Sequence, residues 1–288
     1  MMSNDIFIDQ LFVALTDLRG EMRVSRASYQ VMKKLLIDYF RASAFASESG
    51  GQMNFGPFGS LQLGYHRMGA IDSVDLFGID ELLVFAYYYA NRNRYRKTLD
   101  LGANLGLHSI IMSRCGYEVT AFEPDPIHQE WLLTNLASNN ITNVKLERAA
   151  VSDRDGEAEF VRVVGNTTGS HLAGAKASPY GELNRFAVKV RDIAPFAEAA
   201  DFAKIDVEGH EMVVLNAIPE ACWNSFDALL EVGTQANAEG VLAYSKVRGL
   251  NIFAQKTGWE KVVSLNDIPK SHHEGSIVLS HRVDFPWG

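Results

Sequence analysis

The chain has 288 residues, 47% apolar and 22% charged, which allows one full-sized core or two small ones and excludes a disordered or fibrous chain. A formal net charge of −8 argues against a nucleic-acid polyanion as partner, and the short basic clusters at Lys33, Lys34 and at 92–97 read as solvated faces. Cys115 and Cys222 lack metal-ligand spacing and fit the reduced thiols of a cytoplasmic protein; no signal-peptide pattern is present, and the apolar run 82–90 is too short to insert into a membrane.

Residues 6–45 are expected to be helical, with Leu11, Leu15 and Leu18 on one face and Val31, Leu35, Leu36 and Tyr39 on another. Residues 47–69, rich in Gly, Ser and aromatics, read as a loop or short hairpin, and 80–89 as a further helix. From Lys97 the pattern alternates. A buried strand at 98–101 leads to a helix at 105–114 stopped by Gly116, then a strand at 118–122. Asp125-Pro126 caps and opens a helix with Ile127, Trp131, Leu132 and Leu136 inward, followed by a strand at 143–147. Such alternation predicts right-handed crossovers and a parallel sheet.

A turn at Asp155-Gly156 opens a strand over 157–164, and 165–183 reads as a long mobile loop of the kind that serves as a lid or binding loop. Strands follow at 186–190, 202–206 and 226–231, with a helix at 211–218 between the last two. Helix is expected within 239–257, ending near Gly258, and 259–265 and 276–283 as two strands that pair antiparallel at the sheet edge. The predicted fold is α/β, a doubly wound, mostly parallel sheet with an antiparallel edge strand behind a helical N-terminal extension. The division falls at 1–95, for acceptor recognition or oligomerisation, and 96–288, for the ligand-binding domain, with a homo-oligomer left open.

The stretch Thr98-Leu-Asp-Leu-Gly-Ala-Asn-Leu-Gly-Leu-His108 runs from strand into a glycine-bearing turn. A dinucleotide fingerprint needs glycine at its first, third and sixth positions; counted from Gly102 these hold Gly102, Asn104 and Leu107. Asn104 puts a side chain where backbone must approach a pyrophosphate, and Asp100 is a poor neighbour for phosphate. An NAD-dependent oxidoreductase or epimerase is therefore disfavoured. S-adenosylmethionine, with a sulfonium, an ammonium and one carboxylate, suits the turn better. Asp100 attracts its cationic end, Gly102 and Gly106 let the chain pass close, and the following helix N-terminus serves its carboxylate. Glu123 stands about 20 residues beyond Gly102 at the end of the second strand, where a carboxylate accepts ribose hydroxyls.

Four motifs in order resemble those of the FkbM-type methyltransferases: Asp-Leu-Gly-Ala-Asn-Leu-Gly (100–106), Ala-Phe-Glu-Pro-Asp-Pro (121–126), Ala-Ala-Val-Ser-Asp (149–153) and Lys-Ile-Asp-Val-Glu-Gly-His-Glu (204–211). The resemblance covers residues 97–231 and implies a class I methyltransferase fold, S-adenosylmethionine as cofactor, and methylation of a hydroxyl on a sugar, glycan or natural-product acceptor. It implies cofactor contacts from Asp100, Gly102, Asn104, Gly106, Glu123, Asp125, Ala150 and Val151.

Asp206 and Glu208 follow the fourth core strand and Glu231 ends the fifth, so all three are expected at the rim of the crevice. In-line attack on a sulfonium methyl needs a group to accept the hydroxyl proton; Asp206, Glu208 and His210 are the candidates, with Lys204 to orient a carboxylate. Asp206, Glu208 and Glu231 also form an alternative oxygen-ligand set for Mg²⁺, which would lower the hydroxyl pKa. The competing class is a non-catalytic nucleoside-binding protein on the same fold, opposed by the joint presence of Asp100, Glu123, Asp206 and Glu208.

Overall fold

The structure is a computed structural model that describes residues 4–176 and 181–287. Helices α1 (Asn4–Asp17) and α2 (Ala27–Arg41) precede an antiparallel hairpin of β1 (Gly51–Asn54) and β2 (Ser60–Leu63), then α3 (Ile79–Ala90). The elements match the sequence pattern, but the helix faces differ from it. Leu11, Leu15 and Leu36 are buried as expected, but Leu18, Val31 and Leu35 are exposed, and α2 buries Tyr29 and Phe40 beside Leu36. A buried aromatic ring removes about 150–250 Å² from water. The Phe40 ring, stacked on Phe77 at 4.8 Å, thus sets the rotation of α2 over its aliphatic residues.

The first crossovers run β3 (Lys97–Leu101), α4 (Leu107–Arg114), β4 (Glu118–Phe122), α5 (Pro126–Ser138) and β5 (Val144–Glu147). Asp125 caps α5 by accepting from the Ile127 amide; Ile127 itself faces out while Leu132 and Leu136 face in. An inserted sheet follows, made of β6 (Ala150–Ser152), β7 (Gly156–Val163), β8 (His171–Leu172) and β9 (Leu183–Asp192) in the order β6-β9-β7-β8. The expected loop at 165–183 contains a 3-10 turn at Thr167–Gly169 and β8; its residues 177–180 lie outside the described residues.

The chain continues through α6 (Ala194–Glu198), β10 (Phe202–Ile205), α7 (Glu211–Ala217), β11 (Asp227–Glu231), α8 (Gln235–Arg248), β12 (Asn251–Ala254), β13 (Glu260–Lys261) and β14 (Ser276–Ser280). The main sheet has the order β13-β12-β14-β11-β10-β3-β4-β5, parallel from β11 to β5. Its β13 edge is antiparallel, but the two tail strands do not pair with each other. β14 inserts between β11 and β12, antiparallel to both, and β13 pairs with β12 alone. Ile277, Val278 and Leu279 are buried on both faces, which only an interior strand satisfies. Helix α8 ends at Gly249 (φ +65°), not near Gly258, so part of the expected helix is β12.

Alternate residues of the same strands feed two cores. Val119, Ala121, Phe202, Leu229 and Val278 face α1 to α4; Leu99, Leu101, Ala203, Ile205 and Leu230 face α7 and α8. Both cysteines are free, and among the described residues no helix is long and apolar enough to cross a membrane. Phe77 stacks on Phe40 and on Phe45, 4.8 Å between centroids in each case, and is 1% exposed. Phe77→Ala is expected to cost roughly 3–5 kcal/mol in urea unfolding. A loss under about 1 kcal/mol, ordinary for a surface change, would show that the N-terminal helices add little to the fold.

Candidate active site

The C-terminal ends of β3, β4, β10 and β11 open on one cavity of about 480 Å³, where the strand order reverses between β3 and β10. Gly102, Asn104, Glu123, Ala150, Val151, Asp206, Glu208, His210 and Glu231 all line it. Asp100, Gly106 and Asp125 stand behind this lining.

The turn glycines admit the chain to itself. Gly102 has φ +81°, and a Cβ there would stand 1.9 Å from the Asp206 carbonyl oxygen; at Gly106 (φ +85°) it would meet Leu132 Cγ at 2.8 Å. The turn after β3 therefore crosses the end of β10, and α4 lies close on α5. Asn104 shares the left-handed backbone at φ +52°, a conformation Asn tolerates. Its amide donates to Glu123 Oε2 at 2.7 Å, while its side-chain Oδ1 is buried without a partner.

Glu123 accepts a second amide, that of Asp125, on Oε1 at 2.8 Å. Burial pushes its carboxyl up to about 8, against the pull of these two donors. Asp100 is fully buried beneath the turn; it accepts from Ser109 Oγ at 2.6 Å and lies 3.7 Å from Lys204 Nζ. Asp125 is spent on the α5 cap and an ion pair with Arg162.

Lys204 Nζ donates to the Gly102 carbonyl at 3.0 Å and sits 3.2 Å from Asp206 Oδ2. Burial alone would lower the Lys204 pKa, but Asp206 and Asp100 raise it. Burial would likewise raise Asp206, and Lys204 holds it below the usual carboxylate range. The pair is thus ionised. Glu208, at φ +53°, pairs with Lys176; burial and the Asp206 charge push it up to about 7. Glu231 Oε1 lies 2.9 Å from His272 Nδ1. Burial and Asp206 push Glu231 up to about 8, and the bond to Glu231 raises His272 to about 9. His210 Nε2 is 2.9 Å from Ser152 Oγ, and burial lowers its pKa.

The Mg²⁺ set does not fit this arrangement. Asp206, Glu208 and Glu231 share the cavity, but each already faces a basic side chain: Lys204, Lys176 and His272 respectively. Among the described residues no three His, Cys, Asp or Glu side chains are grouped to hold a metal ion. The donor set does fit S-adenosylmethionine: a buried acid at a strand end, an orphaned Asn104 oxygen, small apolar Ala150 and Val151, and an acidic floor.

Sequence reasoning gave 165–183 as a loop of lid or binding-loop kind and 1–95 a role toward the acceptor or in oligomerisation, but named no individual residue of the opposite wall. Ile71, Leu76 and Glu81 reach the cavity from the N-terminal segment, Lys176 and 166–172 from the inserted sheet, and His272 and His273 from the loop before β14. Glu81 also bonds His108 Nε2 at 2.9 Å. The His272-His273 doublet was the one readable signal, and only the insertion of β14 beside β11 brings it to the site.

A reversal point flanked by a glycine turn and a buried acid defines a nucleoside-binding α/β fold of the methyltransferase class. The family described as Methyltransferase FkbM domain matches residues 100–270, and the chain belongs to that family. Over 158 residues it is 29% identical to methyltransferase sdnD of Sordaria araneosa, covering 43% of this chain and 61% of that protein. The chain thus spans about three fifths of the length of that relative. Among solved structures, a SAM-dependent methyltransferase from Agrobacterium tumefaciens is similar at TM-score 0.43 and 8% identity, covering 81% of this chain and 71% of that one. TYW2 of M. jannaschii in complex with AdoMet is similar at TM-score 0.40 and 11% identity, covering 81% and 85%.

This geometry can be tested at two points. Gly116 has φ +89° and open space where a Cβ would stand, with nothing within 4 Å, so Gly116→Ala should cost only the left-handed penalty of about 1–2 kcal/mol. Gly102→Ala adds the collision with Asp206 and should cost clearly more in urea unfolding; equal losses would refute the crossing. Glu123 holds its proton to about 8 when folded, against 4.5 when unfolded. The folded chain binds more protons across that interval, so Glu123 makes stability fall as pH rises through it. The fall in calorimetric Tm from pH 5 to 8 should be shallower in Glu123→Gln, and an unchanged slope would place the titration elsewhere.

Proposed function

We propose that this cavity binds S-adenosylmethionine and that the chain transfers its methyl group to a hydroxyl of a small-molecule acceptor, a sugar, glycan or natural product. The observation that carries this reading is the joining, in one cavity, of the Glu123 end of β4 with the acidic ends of β10 and β11. Each Glu123 oxygen accepts one amide and keeps acceptor capacity for a ribose hydroxyl. Gly102 and Asn104 offer backbone beside it, and Ala150 and Val151 an apolar surface for the base. Asp206, kept ionised by Lys204, is assigned to the positive end of the cofactor.

When bound, the cofactor supplies an activated methyl group; the protein's part is orientation and proton handling. Glu208, held by Lys176, is assigned to orienting the acceptor, and His210 to the wall beside it. Asp206 carries fixed negative charge, and Glu208 and Glu231 can ionise against an entering cation, which favours a cationic cofactor over a phosphate-bearing or nucleic-acid acceptor. Ile71 and Leu76 support a role for the N-terminal segment in acceptor recognition.

Calorimetric titration with S-adenosylhomocysteine should show saturable binding, and NADH none. A hydrogen bond contributes roughly 0.5–1.5 kcal/mol net, so losing the bonds to both ribose hydroxyls in Glu123→Ala should weaken binding about tenfold. An unchanged dissociation constant would remove Glu123 from the site, and NADH binding in place of the homocysteine ligand would overturn the cofactor class. Methyl-labelled cofactor offered with a panel of methyl glycosides and phenols then tests the acceptor class.

A further inference from the structure

We propose that His272 is the catalytic base of this site and Glu231 its positioning residue, an assignment that rests on the methyltransferase reading above. The geometry begins at Glu231, the last residue of β11, whose Oε1 lies 2.9 Å from His272 Nδ1. A carboxylate on Nδ1 fixes the tautomer with the proton there and leaves Nε2 as the basic nitrogen. The second observation is Gly233. Its φ is not left-handed, so no backbone demand calls for glycine. A Cβ there would stand 2.4 Å from His272 Cε1 and 2.7 Å from Nε2. The bare backbone at 233 is what lets the imidazole lie where it does, and the ring is held from two sides.

The third observation is the state of the other bases. Asp206 is committed to Lys204 and Glu208 to Lys176. His210 Nε2 faces Ser152, His128 Nε2 faces Thr167 Oγ1 at 3.0 Å, and His171 Nδ1 faces the Gly169 carbonyl at 3.0 Å. Among the described histidines that line the cavity, His272 has a carboxylate within hydrogen-bond distance of a ring nitrogen, whereas His128 Nδ1 lies 3.9 Å from Glu123 Oε1. The His272 side chain is 53% exposed, which gives the proton a route to solvent. His272 lies just beyond the 100–270 region that matches the family, so the family resemblance does not reach it.

In this step an acceptor oxygen lone pair forms the new C–O bond to the methyl carbon. The C–S bond breaks with its electron pair going to sulfur, giving the neutral thioether, and the hydroxyl proton passes to His272 Nε2. Glu231 stabilises the imidazolium, which then releases its proton to water. Glu231 on β11 and Glu208 and Asp206 after β10 favour the imidazolium, and Lys176 from the inserted sheet opposes it. Turnover is therefore expected to climb with pH toward about 9, where the neutral ring becomes populated.

The test uses the full chain with methyl-labelled S-adenosylmethionine and the best acceptor of the glycoside and phenol panel. His272→Gln should lower kcat by about 10²–10⁴, the usual worth of a general base, with S-adenosylhomocysteine affinity unchanged. His272→Ala should regain turnover with added imidazole, and Glu231→Gln should shift the rising limb of the pH profile to lower pH. Turnover of His272→Gln within about threefold of the parent chain would overturn the assignment, as would a pH profile unmoved in Glu231→Gln. Nitrogen-15 spectra of the histidines in the S-adenosylhomocysteine complex decide the dyad without any acceptor. A protonated Nδ1 bonded to Glu231 is expected and should be lost in Glu231→Gln; its absence from the parent chain would sink the dyad. Failure of the parent chain to bind S-adenosylhomocysteine would instead strike the cofactor reading, with the same spectra of the ligand-free chain still deciding the dyad.

Discussion

Much of the site hangs on the burial of Lys204 between two carboxylates and a carbonyl. It sits where the strand order reverses, with Asp100 of β3 on one side, Asp206 past β10 on the other, and the Gly102 carbonyl bonded to it. Breaking a buried ion pair by removing one partner typically costs about 3–5 kcal/mol, because the survivor is left uncompensated. Here two carboxylates would be left. The ammonium thus holds together two strand ends that would otherwise repel, and Gly102 allows the close crossing that puts Asp206 within its reach. The crevice exists because β3 and β10 carry their connections in opposite directions; its floor stays closed because Lys204 fastens them.

The floor and the roof have different origins. Floor residues come from the parallel strands and the turns after them. The roof is stitched from the N-terminal segment and the inserted sheet. The Ala70 amide donates to the Gly165 carbonyl at 2.7 Å and the Thr167 amide to the Met68 carbonyl at 2.9 Å. A Cβ at Gly69 would stand 2.2 Å from the Gly165 carbonyl carbon, so the two segments cross with no room for a side chain. That crossing places the turn at Thr167–Gly169 over the cavity, where Thr167 meets His128. In the reading proposed here, cofactor contacts belong to the floor and acceptor contacts to the roof, so the acceptor can change by altering loops while the strand ends stay fixed.

The sequence made the floor legible and the roof not, for a physical reason. Asp100, Gly102, Glu123, Asp206 and Glu231 sit at strand ends, and strand ends are predictable from alternation and turn residues. Their separate roles were harder to read. Asp100 and Asp125 had the right place in the motifs but are consumed by Lys204, Arg162 and a helix cap, which depend on contacts distant in the chain. Leu18 lies past the end of α1 and so leaves the face of Leu11 and Leu15, while Val31 and Leu35 face out because the Phe40–Phe77 stack, not aliphatic spacing, sets the rotation of α2. The tail strands failed because β12 is four residues and β13 two, too short to leave a period, and because an interior antiparallel strand cannot be told from an edge strand without its neighbours. Of the cavity residues, His272 is brought in by the pairing of β14 with β11, Lys176 by the inserted sheet and Glu81 by α3.

The cavity's electrostatics favour one kind of guest. Glu123, Glu208 and Glu231 are all pushed upward, to about 8, 7 and 8, by burial and, for the last two, by the fixed charge of Asp206. Burial is the first cause of these shifts, so the three carboxyls hold their protons toward neutral pH, and the fixed negative charge of the lining rests on Asp206 beside Lys204. Lys176 and His272 offset part of it, yet leave Glu208 and Glu231 raised. A cation entering this space draws the raised carboxyls toward ionisation, whereas a phosphate would hold them protonated. In the reading proposed here the guest is a sulfonium with an adjacent ammonium, and on methyl transfer the sulfonium charge disappears. The product then loses part of the attraction that held the cofactor, so the acidity that favours binding also favours release after reaction. That asymmetry suits a site whose chemistry turns a positively charged sulfur into a neutral one.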